Sequence, residues 1–301
     1  MSIALTGMML FLSGGTALAD VDNTVQAKLV AVEKETYGTP QTGPLLDRLA
    51  SLEKGYFGRE YQGSMLERVD TVYNDIYDNE KKPSLLTELN AVEWGILHKV
   101  SDRPIDKRIT DLEMYITGQA STGTYASRIA ALGRYAFGTY EVPLRQITVP
   151  KDTLIRIALT QNINAKDLKA GDIIHFKVAQ DVLLNDMLVF VQGQAGEGTV
   201  TKVVQARNFG RDARIDTDFH SVQAMDGTTV ATFVGDKAKE EMQSYAMAAG
   251  ASLAGMALLG PIGIIGGAFV HGKNVELPAG TELYVQTKAD TVLYAVPTTT
   301  E

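Results

Sequence analysis

The sequence predicts an α+β protein in which an array of short helical repeats precedes a small β-barrel or sandwich carrying a Gly/Ala-rich helical hairpin. Three observations support this prediction. The first half holds six 20-residue units without an insertion, the second half alternates apolar and polar residues, and one uncharged stretch interrupts that alternation. We predict a signal peptide over 1–19, the repeats over 20–145 and the β-rich domain over 146–301, with its hairpin at 238–272.

The repeats predict one helix each. They begin with an apolar residue, and positions 1, 5 and 8 of every unit are apolar or aromatic, which places them on one stripe of a helix. Position 14 is glycine in four units and would end the helix, while Ser64, Ser84 and Thr124 precede position 1 as N-caps. Each unit therefore predicts a helix of about 12 residues and a linker long enough for either a parallel solenoid or a zigzag. The six units begin at Val25, Leu45, Met65, Leu85, Ile105 and Tyr125.

Charged residues also recur within the units. Position 4 is basic in five units and position 9 is glutamate in four, a spacing that does not suit a pair within one helix. Two interpretations remain open, a solvated charged face and a ladder of ion pairs between adjacent repeats. We predict a repeat surface for docking that includes Arg48, Glu53, Arg68, Trp94, Arg108 and Glu113.

Aromatic residues are concentrated in the repeats. Exposed rings can hold sugars or peptides, but the regularity of position 13 (Tyr37, Phe57, Tyr77, Leu97 and Phe137) favours rings that fill gaps between helices. The pattern RLxxLExxxFGxxY of the second unit resembles short helical repeats of exported bacterial envelope proteins of unknown activity. This resemblance implies a location and no particular activity.

The N-terminus predicts export. An apolar run from Ile3 to Leu12 leads to the small-x-small site Ala17-Leu18-Ala19, with the first acid at Asp20 and no Lys or Arg before the run. Such a run is short for a membrane span, so a cleaved signal is favoured over an anchor, with a buried N-terminal helix as the alternative. We therefore expect the protein in the periplasm or at the outer membrane of a bacterium.

The composition narrows the possible partners and chemistry. The formal net charge is -8 and no basic run exceeds Lys81-Lys82, so nucleic acid is a poor candidate partner. The chain has no cysteine, which excludes disulfides and thiolate metal sites.

The second half reads as short strands. Segments such as 153–159, 173–178 and 198–204 alternate in polarity, and turn signals separate them. The last two strands, 282–287 and 291–296, are expected to close the chain as a hairpin. About eight strands at this spacing predict a small barrel or sandwich.

An uncharged stretch from Ala246 to Val270 interrupts the strands, and Pro261 divides it into 244–259 and 262–270. Three interpretations compete: a helical hairpin that packs on itself or on other subunits, a membrane insertion, and a buried core segment. Candidate contact residues for self-association or membrane contact are Leu253, Met256, Leu259, Gly263, Ile264 and Gly267.

The layout of this half resembles the C-terminal β domain of the VirB10/TrbI family of secretion-channel proteins. The matching segments are 193–198, Asp226-Gly227-Thr228, the Gly/Ala stretch and 277–282. The resemblance implies an envelope location and a ring or multimer. Six helical repeats stand here in place of that family's proline-rich linker.

The sequence offers little for catalysis. Its four histidines are far apart, and no GxSxG, Walker or GxGxxG motif occurs. Asp216, Asp218 and His220 alternate along one predicted strand and form a weak candidate metal site, for which an exposed polar face is the alternative. We therefore expect no enzyme and no cofactor.

Taken together, these observations predict an exported structural or interaction protein of the cell envelope. The repeats would serve as a spacer or docking surface, and the β domain would self-associate or contact the outer membrane. The expected partners are further copies of the chain, other envelope proteins or peptidoglycan. A soluble glycan-binding protein is the first alternative, and a metal-dependent enzyme is a distant one.

Overall fold

A computed structural model describes residues 24–205, 213–248, 268–272 and 276–298. Helical repeats fill the first half of this part of the chain and strands fill most of the second half, as the predicted fold class requires.

Each repeat forms one helix that begins at the residue expected for position 1. The six helices are α1 Val25–Tyr37, α2 Leu45–Phe57, α3 Met65–Tyr77, α4 Leu85–Leu97, α5 Ile105–Thr117 and α6 Tyr125–Phe137. Thr24, Ser64, Ser84 and Thr124 accept N-cap hydrogen bonds, and Ser64 forms the predicted capping box with Glu67. Four helices end at glycine in the left-handed conformation, whereas His98 takes that conformation after α4.

The helices contact repeats that are distant in sequence as well as their direct neighbours. In a simple solenoid a unit contacts its direct neighbours, but here α1 contacts α3 and α5, α2 contacts α6, and α4 contacts α6. The stripe residues of positions 5 and 8 close around one shared core. Contacts between distant repeats therefore make the array compact. The core residues at these positions are Leu29, Val32, Leu49, Leu52, Val69, Val72, Leu89, Val92, Ile109, Leu112, Ile129 and Leu132.

The described part of the second half contains thirteen strands and one helix. The strands are β1 Arg145–Val149, β2 Leu154–Leu159, β3 Ile163–Asn164, β4 Ile173–Val178, β5 Val182–Leu184, β6 Met187–Phe190, β7 Ala195–Val204, β8 Ala213–Gln223, β9 Thr229–Phe233, β10 Ala268–Gly272, β11 Glu276–Leu277, β12 Glu282–Thr287 and β13 Thr291–Pro297. The helix is α7 Asp236–Ala248.

Six strands form a closed antiparallel barrel in the order β8-β7-β4-β2-β12-β9, and β9 pairs back onto β8. Alternate residues point inward and are buried, for example Ile155, Ile157 and Ile174. Gly196 on β7 allows the ring of Phe176 to fill the interior, because a Cβ there would lie 2.1 Å from that ring. Phe176 then meets Phe219 edge-on, with ring centroids 5.4 Å apart.

The last two strands do not form the expected hairpin. β12 belongs to the barrel, where it pairs with β2 and β9, whereas β13 pairs with β1 and β6 in a four-stranded sheet ordered β1-β13-β6-β5. Both strands are buried over most of their length. Each strand is paired on both edges, and the chain changes sheets between them.

The predicted hairpin region is a helix at its start and a strand at its end. Residues 236–248 form α7, whereas 268–272 form β10 and pair antiparallel with β8 at the side of the barrel. The expectation that the helical stretch continues to Val270 is therefore wrong, since the backbone of β10 is paired in a sheet. The candidate contact residues Leu253, Met256, Leu259, Gly263, Ile264 and Gly267, like the predicted signal peptide over 1–19, lie outside the described residues.

Candidate interaction surfaces

Buried ion pairs link successive repeats. The glutamate at position 9 of one helix accepts from the arginine at position 4 of the next, with Nη2–Oε2 distances of 2.5–2.7 Å. The ladder interpretation of the charged positions is thereby confirmed. The four pairs are Glu33–Arg48, Glu53–Arg68, Glu93–Arg108 and Glu113–Arg128.

The same glutamates also hold their own linkers. Glu93 accepts from the backbone N–H and the hydroxyl of Ser101, and Glu113 accepts in the same way from Ser121. Burial raises the pKa of Glu113, but the hydrogen bonds from Arg128 and Ser121 outweigh burial and hold that pKa below its usual value. Both oxygens of each of these buried carboxylates thus accept hydrogen bonds, as a buried ion pair requires.

The predicted docking residues are therefore internal. Glu53, Arg108 and Glu113 are at most 3% exposed, and Arg48 and Arg68 keep 12–13% of their side chains exposed. Trp94 is buried as well. Their expected role as a repeat surface does not fit this burial, because the charges pair between helices and the indole lies against the β domain.

Helix α4 fixes the array to the β domain. The amide of Asn90 donates to the carbonyl oxygen of Met225 at 2.9 Å, and the Nε1–H of Trp94 donates to the carboxylate of Asp181 at 2.9 Å. The apolar side chain of Met225 joins the core of the helices. The array is thus packed against the second half.

The turn between β8 and β9 is the centre of this contact. The carbonyl oxygen of Asp226 accepts from Asn79 and Thr87, at 2.8 and 2.9 Å. Its carboxylate accepts from the backbone N–H groups of Thr228 and Tyr294, both at 2.9 Å. Asp226 therefore ties the repeats, the turn and β13 together, and burial raises the pKa of its carboxyl group.

Sequence reasoning missed this interface, although the fourth repeat carries a signal. Its helix is apolar on more than one face and has Glu88 where other repeats have a base. Such a helix is expected to be covered on two sides. Residues of α4 are buried on both faces in the structure, including Thr87, Asn90, Ala91 and Trp94.

The weak metal candidates do not come together. The pairing of β7 and β8 shifts register at two places, so β8 loses the strict alternation expected for Asp216, Asp218 and His220. Asp216 is buried and binds Arg214, whereas Asp218 and His220 are exposed. Within the described residues, no three acidic or histidine side chains form a group that could hold a metal ion.

Among the described residues, the most exposed rings lie in the last two repeats. Tyr115 and Tyr135 occupy position 11 of α5 and α6 and are 71% and 63% exposed. Met114 and Tyr140 are exposed to 49% and 58%, and Arg134 donates to the hydroxyl of Tyr140 at 2.9 Å. We call these five residues (Met114, Tyr115, Arg134, Tyr135 and Tyr140) the tyrosine face.

Position 11 has a different role in the other helices. In α2 and α4 it is glycine, and rings of α6 pack there: a Cβ on Gly55 would lie 3.2 Å from Tyr125, and one on Gly95 2.9 Å from Phe137. The expectation that position-13 rings fill gaps is confirmed, since they pack against the core. Sequence reasoning missed position 11, although its change from glycine or acid to tyrosine is visible in the last two units.

Two further results concern membrane-spanning helices and related proteins. Within the described residues, no helix combines the length and apolar character that a membrane span requires. No protein-family description matches the chain, and no curated protein matches it.

The fold has a distant likeness among solved structures. ComB10 of the Com type IV secretion system of Helicobacter pylori matches with a TM-score of 0.26 and 14% sequence identity, over 48% of this chain and 88% of that chain.

Proposed function

We propose that this protein is an exported, non-enzymatic interaction protein of the bacterial cell envelope, whose helical array presents the tyrosine face to a partner. The single observation that carries the docking role is the exposure of three tyrosines and a methionine on the last two repeats. The envelope location rests on the sequence alone, through the signal over 1–19.

The composition of the face supports docking. The outer face of a terminal repeat is normally polar, because it has no further repeat to cover it. Aromatic residues, methionine and arginine are the types enriched in binding interfaces, whereas Lys and Glu are depleted there. The tyrosine face consists of the enriched types, so binding explains it better than solubility does.

The packing of α4 favours docking over spacing. An arm that only sets distance needs few contacts with the domain that follows it, but Asn90 and Trp94 hold the array against the β domain. The β domain thus supports a rigid surface. Its own share in this proposal, self-association or outer-membrane contact, rests on the uncharged stretch outside the described residues.

Cell fractionation and site-specific crosslinking test the two parts of this proposal. Native cells are separated into cytoplasm, periplasm and outer membrane, and the protein is expected in one of the last two; confinement to the cytoplasm would contradict export. A photoreactive phenylalanine derivative is then placed at Tyr115 and, as a control, at Leu46, an exposed residue of α2. We expect a discrete adduct from position 115 and none from position 46, and equal labelling would contradict a docking role of the face.

A further inference from the structure

We infer that the partner of the tyrosine face is a glycan strand that carries carboxylate groups. This inference rests on the proposed function and names the chemistry of the partner at the same surface. Three features of the face support it: the placement of its rings, its exposed cation and its unsuitability for a packed helix.

The two most exposed rings repeat with the helices. Tyr115 and Tyr135 stand at the same position of α5 and α6, and these helices contact each other. Packed helices lie about 8–10 Å apart, so the two rings can offer two flat platforms to one ligand. Phenol rings present an apolar face for the C–H side of a sugar and a hydroxyl for its polar edge. Two such platforms suit a polymer of sugar rings.

The cation on the face points to an acidic strand. Arg134 lies beside Tyr140, with its guanidinium 5.4 Å from the ring centroid, and donates one hydrogen bond to the phenol oxygen. A guanidinium has five N–H donors and pairs with carboxylates through two of them at once. The chain as a whole has a formal charge of -8, whereas this exposed arginine is positively charged. Charge complementarity therefore favours a carboxylate-bearing ligand over a neutral one.

A helix from another protein fits this face less well. Where helices of this array pack over position 11, the residue is Gly55 or Gly95 and a ring of α6 approaches closely. Tyrosines at the same position hold a partner helix at a distance. Flat sugar rings stack directly on a phenol without needing that close backbone approach.

Sedimentation of the purified full chain with two insoluble polymers tests the inference. Peptidoglycan sacculi carry carboxylates on their stem peptides, whereas chitin offers related sugar rings without them. The double variant Tyr115→Ala/Tyr135→Ala removes the platforms, and Arg134→Gln removes the cation. Leu46→Ala/Leu66→Ala is the matched control. Both leucines occupy position 2 of their repeats, in α2 and α3, and are about half exposed.

We expect the natural protein and the leucine control to bind sacculi equally. The tyrosine variant is expected to bind at least about tenfold more weakly. Arg134→Gln should reduce binding to sacculi to the level seen on chitin. Circular dichroism melting confirms that each variant is folded, as expected for changes at exposed positions.

Binding to sacculi that is unchanged in either variant would overturn the inference, and so would equal binding to chitin. No binding of the natural protein to sacculi would overturn it as well. If position 115 still gives a discrete crosslink in cells in that case, the glycan is wrong but the docking role stands. If the crosslink is also absent, both fail.

Discussion

Tyr73 of α3 and Glu88 of α4 occupy positions 9 and 4 of their repeats. Between each of the other four pairs of consecutive helices, these positions hold the glutamate and the arginine of one buried ion pair, which we call a rung of the ladder. Both partners of the rung are replaced together, so no glutamate at position 9 is left without its arginine. The helix end changes as well, since Asp78 after α3 is extended instead of left-handed. The six repeats are therefore two sets of three, each with two rungs, and α4 begins the set that contacts the β domain.

For each rung, we expect a single replacement to lower the free energy of unfolding more than the double replacement does. Arg108→Met leaves the buried Glu93 without its ion-pair partner and is expected to lower the free energy of unfolding by about 3–5 kcal/mol. Glu93→Met combined with Arg108→Met should cost much less, because no buried charge remains. Urea unfolding of the two single variants and the double variant measures the coupling.

The exposed pair Lys54–Glu60 is the control for that cycle, and Lys54→Met should leave the free energy of unfolding nearly unchanged. A loss for Arg108→Met as small as this would show that the rung contributes no more than a surface pair.

Two helical glycines predict opposite effects of one substitution. Gly95→Ala places a Cβ 2.9 Å from Phe137 and 3.0 Å from Ala136, so we expect overpacking to cost about 1–3 kcal/mol despite the better helix propensity of alanine. Gly133→Ala meets no atom closer than 3.5 Å and should stabilise the protein by about 0.5–1 kcal/mol. Thermal melting compares the two variants, and destabilisation by both would show that the space around Gly133 is needed.

The repeats were predictable because their signals are local. Apolar spacing, caps and the left-handed glycines depend on residues within one unit, and the helices begin where position 1 was placed. The coiling of the array was not predictable, since it depends on contacts such as Gly55 with Tyr125, 70 positions apart. Local spacing contains no information on which distant helix supplies a ring.

The same limit applies to the surfaces. Because arginine and glutamate usually lie at the surface, the sequence predicts a docking surface at the ladder residues, whereas their burial follows only from pairing across repeats. The pairing of the last two strands was not predictable for the same reason. The sequence predicts a hairpin of β12 and β13, but the two strands belong to different sheets. The tyrosine face was not predictable, because position 11 is tyrosine in only two of the six units and its exposure depends on contacts between helices.

The single tryptophan of the chain reports on the contact between the two halves. Asp181→Ala removes the carboxylate that accepts from Trp94 Nε1 and from the backbone N–H of Gln192. A hydrogen bond to a charged group contributes about 1.5–3 kcal/mol, so we expect a loss of stability of that size. Acrylamide should then quench Trp94 more strongly than in the natural protein. Quenching that stays unchanged would mean that the indole is held by packing alone.

Asp226 predicts a pH dependence that runs opposite to that of Glu113. Burial raises the pKa of Asp226 above its usual 3.8, so the folded state keeps this proton to higher pH than the unfolded chain does. Its contribution to the free energy of unfolding is therefore fully present below pH 3.8 and is lost as the pH rises through the folded-state pKa. The stability of the natural protein relative to Asp226→Asn should fall over that window, as measured by urea unfolding.

Glu113 has a lowered pKa, so its contribution is present above its usual 4.5 and is lost as the pH falls. Stability relative to Glu113→Gln should thus rise with pH, and equal slopes for the two variants would contradict the assignment of these groups.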